Sequence, residues 1–168
     1  LQGSCDVFHP VRLSDGIRRV NGVARILASL HSCDSIVSLR AMLLLLASSL
    51  DANPKNYQEM ERLNGFLCIA AFMRRFCRQL TADMVDICFL FCGLTEQGVS
   101  GRILFPSAFD GLIMDYSLWR QAPLASRCHL FQGKMLSVAC ASWRSETQNA
   151  MWVLLACICR YPQQYRIQ

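Results

Sequence analysis

The chain has 168 residues, 53% of them hydrophobic and 17% charged, with a formal net charge of +5. A typical soluble domain is ~45–50% apolar and ~25% charged, so a compact monomer of this composition would struggle to hide its apolar surface. The charge is mild, ten Lys/Arg against six Asp/Glu over residues 1–79 and seven against six beyond, and no basic stripe with motif support argues for nucleic acid.

Residues 1–13 read as a loop or incoming linker punctuated by Pro10. A short helix is expected from Ser14-Asp15, which are good capping residues, and a second from Gly22 to about His31. Cys33-Asp34-Ser35 breaks and recaps the chain, and Ser35 to Leu50 follows as a strong helix that is apolar on more than one face. That pattern suits an inner helix covered on several sides. Asp51-Ala52-Asn53-Pro54 ends it, with Asn53 placed to cap and Pro54 at the first helical position, so Lys55 to Leu63 is a short helix. Asn64-Gly65 makes a break before a helix over Phe66–Arg78. Thr81 starts another, apolar around nearly its whole circumference through Cys92.

Glu96 to Arg102, with Gly98 and Gly101, reads as a connection. Phe105-Pro106-Ser107 opens the next helix, with Ala108, Phe109, Leu112 and Ile113 at helical spacing, and Asp115 to Pro123 carries Trp119. Two last helices are predicted over about Leu124–Ala141 and Glu146–Arg160, closed by Pro162. No alternating run bounded by tight turns predicts a strand. The expected class is all-α.

Two of these stretches echo each other. Gly22 to Leu50 lies over Gly65 to Leu94 at an offset of 43 residues, each with an apolar helix, a polar break and a second, denser helix. Armadillo and HEAT repeats recur every ~40–47 residues, because one helical hairpin cannot bury its own apolar face and must stack on the next. The expected architecture is therefore an armadillo/HEAT-like α-solenoid segment of stacked helical pairs over residues 14–162, with 163–168 as a tail. Its high apolar content fits a slab whose ends are covered by neighbouring repeats, and the start at Leu1 without Met predicts a piece of a larger protein.

The densest apolar runs, Ala41–Ala47 and Ala150–Cys159, fall short of the ~20 residues that cross a bilayer. The ten cysteines sit mostly within apolar helical runs, where free Cys packs as a small hydrophobe, and a reducing cytosolic setting fits them. No histidine has partners at zinc spacing, so no metal and no cofactor is expected. Cys128, His129 and Asp115 are pieces of a nucleophilic triad without a recognisable local frame, and Gly98-Val-Ser-Gly101 lacks the Lys and Ser/Thr of a phosphate loop. The chain is not expected to be an enzyme.

Two features remain as candidate contacts. Arg74, Arg75 and Arg78 form the one basic cluster of note; at a helix C-terminus such cations are favoured by ~0.3–1 kcal/mol in any case, and they are also placed to meet an acidic lipid or an acidic partner. Trp143, beside Arg144 in a polar break, is the tryptophan expected to be exposed and available to a partner. Trp119 and Trp152 read as structural.

The stretch from Asn53 to Phe66, Asn-Pro-Lys-Asn-Tyr-Gln-Glu-Met-Glu-Arg-Leu-Asn-Gly-Phe, resembles the N-x-x-N-x-x-E-M-x-x-x-x-G-[YF] stretch in the helical solenoid of BEACH-domain proteins. Ala108 to Pro123, Ala-Phe-Asp-Gly-Leu-Ile-Met-Asp-Tyr-Ser-Leu-Trp-Arg-Gln-Ala-Pro, is similar to the family's A-F-x-x-L-[LI]-x-[DN]-x-x-[LV]-W-x-x-[AT]-P signature. Ile17 to Val23 resembles the I-x-x-x-G-G-[VI] entry to an earlier repeat, with Asn21 in place of a usual Gly. The resemblance covers roughly residues 17–160 and points to the armadillo-like region of neurobeachin, the lysosomal trafficking regulator and the autophagy-linked FYVE protein, large cytoplasmic scaffolds of vesicle traffic, lysosome biology and selective autophagy.

The resemblance implies no catalytic residues. It implies structural roles instead: Asn53 and Asn56 tying an interhelix turn, Gly65 permitting a close helix approach, and Trp119 anchoring one repeat on the next. The function it implies is a non-catalytic scaffold or adaptor for protein partners, cytoplasmic and peripheral on endomembranes, packed against neighbouring repeats of the same chain. The alternative is a peripheral membrane-binding helical domain that recognises acidic lipids through Arg74, Arg75 and Arg78.

Overall fold

The computed structural model describes residues 13–51, 53–94 and 103–131. Trp143, Trp152, residues 1–12 of the linker expected over 1–13, the connection expected over Glu96–Arg102, residues 132–141 of the helix expected over Leu124–Ala141, the helix expected over Glu146–Arg160 and the tail lie outside the described residues.

The described chain is helical, in three successive units. The first holds α1 (Leu13–Arg19), α2 (Gly22–Ser29) and α3 (Ile36–Leu50); the second α4 (Pro54–Arg62), α5 (Gly65–Arg75) and α6 (Ala82–Phe91). In the third, α7 (Pro106–Ala108) runs into a π-helical turn over Phe109–Ile113, followed by α8 (Tyr116–Trp119) and α9 (Leu124–Phe131). Each unit thus carries a short leading helix ahead of the expected pair. Equivalent helices stack from unit to unit: α3 on α6 and α6 on α9 in one layer, α2 on α5 and α5 on α8 in the other. This is the quasi-one-dimensional packing of a solenoid.

Local chemistry sets the units. Asn21 and Asn64 both adopt left-handed backbone, φ 53° and 50°, a conformation Asn tolerates better than most residues. Each is followed by a glycine that opens the next helix, Gly22 or Gly65. A Cβ on Gly22 would lie 2.7 Å from the Ile17 carbonyl oxygen, and one on Gly65 2.7 Å from the Met60 sulfur and 3.2 Å from Leu27 Cδ1. The same Asn-Gly corner therefore turns the short leading helix into the second helix in two units. Helix α3 starts on a capping box, the Ser35 hydroxyl accepting from the Ser38 amide and Ser38 Oγ from the Ser35 amide.

Helix α5 is shorter than the predicted Phe66–Arg78. The chain leaves the helical region at Phe76, φ −114°, and tightens into a 3₁₀ turn over Cys77–Gln79. The core runs through all three units as one cluster, with Leu30, Leu39, Leu43, Leu46, Met60, Ile69, Met73, Leu112 and Trp119 fully buried. Helix α6, stacked on both sides, buries Met84, Val85, Ile87, Cys88, Phe89 and Phe91, in keeping with its all-round apolar sequence.

Candidate interaction surface

The four residues given structural roles sit at joints between elements. Asn53 caps α4, its side-chain oxygen accepting from the Asn56 amide at 3.2 Å, and its Nδ2 donates to Asp15 Oδ1 at 3.1 Å. Asn56 is buried; its Nδ2 donates to the Ser14 carbonyl at 3.0 Å and to the Ser49 carbonyl at 2.6 Å. One amide thus joins α4 to both α1 and α3 of the preceding unit. Gly65 lies where α2, the end of α4 and the start of α5 converge. Trp119 is fully buried, and its indole N–H donates to the Leu112 carbonyl at 2.7 Å. That bond stays within the third unit, while α8 as a whole packs on α5.

The arginine cluster divides. Arg74 pairs with Asp115, the residue that also caps α8 through the Leu118 amide. Arg75 is exposed and its guanidinium lies over two rings, 5.8 Å from Phe72 and 5.7 Å from Phe76, a cation–π arrangement. Arg78 is exposed on the 3₁₀ turn. Neither Arg75 nor Arg78 has an ion pair among the described residues. The Cys77 thiol donates to Gln121 Oε1 at 3.4 Å, which brings the end of α8, with exposed Arg120, to the same edge. Arg74 is thus committed to the fold, and Arg75 and Arg78, with Arg120 beside them, present the free positive charge.

A row of polar contacts joins successive units at nearly constant sequence separation. Arg40 pairs with Asp83 across 43 residues, His129 with Asp86 across 43, Arg74 with Asp115 across 41, and Ser107 donates to Glu61 across 46. The buried Ser126 hydroxyl donates to the Leu80 carbonyl at 2.6 Å, also across 46. The Asp83 carboxyl is held below the usual carboxylate range by the Thr81 hydroxyl and then by Arg40. Sequence reasoning missed these acidic partners. The signal was present: the 43-residue period, applied to charged residues rather than apolar ones, sets Arg40 against Asp83 and Asp86 against His129.

The triad pieces do not converge. His129 Nε2 lies 3.1 Å from Asp86, while Asp115 is taken by Arg74. Cys128 is exposed. Among the described residues no group of His, Cys, Asp and Glu could hold a metal ion, and no helix is long and apolar enough to cross a membrane. Cys88 and Cys92 are buried thiols; burial pushes Cys88 up to about 12 and raises Cys92 as well, so neither offers a thiolate near neutral pH.

Comparison with known proteins gives one family. The Neurobeachin/BDCP, DUF4704 alpha solenoid region matches residues 34–142. Protein SPIRRIG of Arabidopsis thaliana is 32% identical over 74 residues, a match that covers 44% of this chain and 2% of that protein's length. No solved structure matches the chain.

Proposed function

The chain belongs to the neurobeachin-type α-solenoid family, and on that premise we propose that it works as a non-catalytic scaffold or adaptor segment of a large BEACH protein. In this reading its stacked units offer a stiff helical surface that positions protein partners in vesicle traffic, lysosome biology or autophagy, on the cytoplasmic side of endomembranes. The observation that carries it is the row of contacts between units at 41–46 residue spacing. Repeated bonds of this kind fix each unit on the last, the property a positioning surface needs.

The test is proximity labelling in cells with the whole chain fused to a promiscuous biotin ligase. The scaffold reading expects a reproducible set of vesicle, lysosomal or autophagic proteins enriched over the ligase alone. A labelled set indistinguishable from that of the free ligase would overturn it.

A second reading, peripheral contact with acidic lipid, rests on exposed Arg75 and Arg78. It predicts that the chain co-sediments with phosphatidylserine vesicles and that Arg75→Glu with Arg78→Glu abolishes this. Arg74 is left out of that variant because its pairing with Asp115 would confuse lost binding with lost structure.

A further inference from the structure

A cleft of about 610 Å³ opens where the C-terminal ends of α3 and α6 meet the start of α4 and the segment at Leu104-Phe105. Its size lies in the range of ligand-binding clefts. Its floor is a stacked pair, Tyr57 and Phe105, with ring centroids 3.6 Å apart. The Tyr57 hydroxyl is turned inward, donating to the Phe91 carbonyl at 3.4 Å, so the floor presents apolar ring. The walls include Leu44, Leu90 and Leu104, the last two 43% and 59% exposed. Large aliphatic side chains left in water around a concavity are what an apolar ligand covers.

The charge at this cleft is opposite to that of the molecule. Asp51 is the one charged residue lining it; it is exposed and has no ion pair among the described residues. Helix α3 ends at Leu50 and α6 at Phe91, while α4 begins at Pro54, so two helix C-termini, each carrying roughly half a negative charge, outnumber one N-terminus of the opposite sign there. The chain as a whole is +5. An anionic lipid or acidic peptide, drawn to the rest of the surface, is disfavoured here.

We propose that this cleft is a docking site for a short peptide segment of another protein, one that sets leucine-like side chains on the Tyr57–Phe105 floor and a neighbouring Arg or Lys on Asp51. The proposal rests on the scaffold reading and gives it a binding site. Its lining comes from α3, α4, α6 and the segment leading into α7, within the stack rather than at its first or last helix.

The test uses the whole chain and two fluorescein-labelled octapeptides, one alternating leucine with arginine and one alternating leucine with glutamate, followed by fluorescence anisotropy. The expected result is saturable binding of the arginine peptide alone. Asp51→Lys, which turns attraction into repulsion, and Leu104→Arg, which removes an apolar wall and adds a cation that repels the peptide, should each weaken it about tenfold. Position 51 lies just past the C-terminus of α3, where a cation is favourable, and two residues ahead of the α4 cap, where it is not, so circular dichroism first establishes that the variant is folded. A benzophenone version of the peptide should crosslink to residues around Leu90 and Leu104.

Equal binding of both peptides, undiminished binding by folded Asp51→Lys, or crosslinks confined to other faces would overturn the proposal. So would a concentration-dependent dimer that excludes the peptide, which would assign the cleft to a second copy. Absence of peptide binding alongside intact proximity labelling would remove the cleft assignment and leave the scaffold reading standing; loss of the labelled set would count against the scaffold itself.

Discussion

Asn56 is the most informative residue to replace, because two buried carbonyls of the first unit depend on one amide of the second. Its Nδ2 donates to Ser14 at 3.0 Å and Ser49 at 2.6 Å. Asn56→Ala removes both bonds and leaves the carbonyls facing a void. Each net hydrogen bond is worth about 0.5–1.5 kcal/mol, and a stranded buried acceptor costs about 1–3 kcal/mol, so a loss of about 2–4 kcal/mol is expected. Asn56→Asp is nearly isosteric but replaces the donor with an acceptor aimed at two others. At pH 7 the cost should rise to about 3–5 kcal/mol, that of an uncompensated buried charge.

The pH dependence gives the sign. Burial beside two carbonyls raises the folded pKa of the introduced carboxyl above its unfolded value of about 3.9. At intermediate pH the native state then binds more protons than the unfolded state, so stability falls as pH rises from the unfolded pKa through the folded one. Below the unfolded pKa the carboxyl is protonated in both states and can donate one bond again. Urea melts of wild type, Asn56→Ala and Asn56→Asp at pH 7 and pH 4 measure this directly. Relative to wild type, the aspartate variant should be the weakest at pH 7 and recover at pH 4, while the alanine variant shows a constant deficit. An aspartate variant as stable as wild type at pH 7, or one whose deficit ignores pH, would refute the bonding assigned to Asn56.

The two corner glycines should respond differently to alanine. Gly22→Ala drives a methyl onto the backbone carbonyl of Ile17, whereas Gly65→Ala meets the flexible end of Met60; thermal melts should show the Gly22 variant as the less stable, the second costing no more than the ~1–3 kcal/mol of mild overpacking. Trp119→Ala should cost about 3–5 kcal/mol, and Trp119→Phe should still cost about 1–3 kcal/mol for the unpaired Leu112 carbonyl, both read by urea denaturation; a neutral phenylalanine variant would mean the indole bond contributes nothing. In a brief iodoacetamide pulse at pH 8 read by peptide mass spectrometry, exposed Cys68 and Cys128 should label first and buried Cys88 and Cys92 only after denaturant is added; early labelling of Cys88 would contradict its packing.

Much of this architecture can be read from the residues because helical repeats advertise themselves twice, by period and by punctuation. The offset between Gly22 and Gly65 gave the repeat, and Asn53-Pro54, Ser35 and Pro106 gave starts that match α4, α3 and α7. What the pattern did not resolve was grouping. Helices α1 and α4 were expected as elements, but nothing in periodicity says that a short amphipathic helix belongs to the pair after it rather than the pair before. That is settled by the left-handed backbone at the Asn-Gly corner, a local conformation that the apolar period does not encode. The π-helical turn over Phe109–Ile113 was also illegible, since its apolar residues fit ordinary helical spacing. It sets Gly111 with its would-be Cβ 3.3 Å from Phe66 Cβ, a contact between units that no local pattern encodes.

The arginines carry the sharper lesson about reading a site. Three cations within one turn and a half look equivalent in sequence, yet the fold gives them unequal tasks. Arg74 reaches the next unit and is neutralised by Asp115, whose own position is fixed by capping α8. Arg75 is spread over Phe72 and Phe76, so its stem covers apolar surface while its charge stays in water. A surface built this way is stiff where units meet and charged where they do not. Among the described residues, exposed Arg75 and Arg78 without ion pairs mark the α5 edge, and exposed Asp51 without one marks the cleft between α3 and α6. On the proposed scaffold reading, that separation would let two partners of opposite charge sit at different places on one solenoid without competing, an arrangement that the lipid-binding reading does not call for.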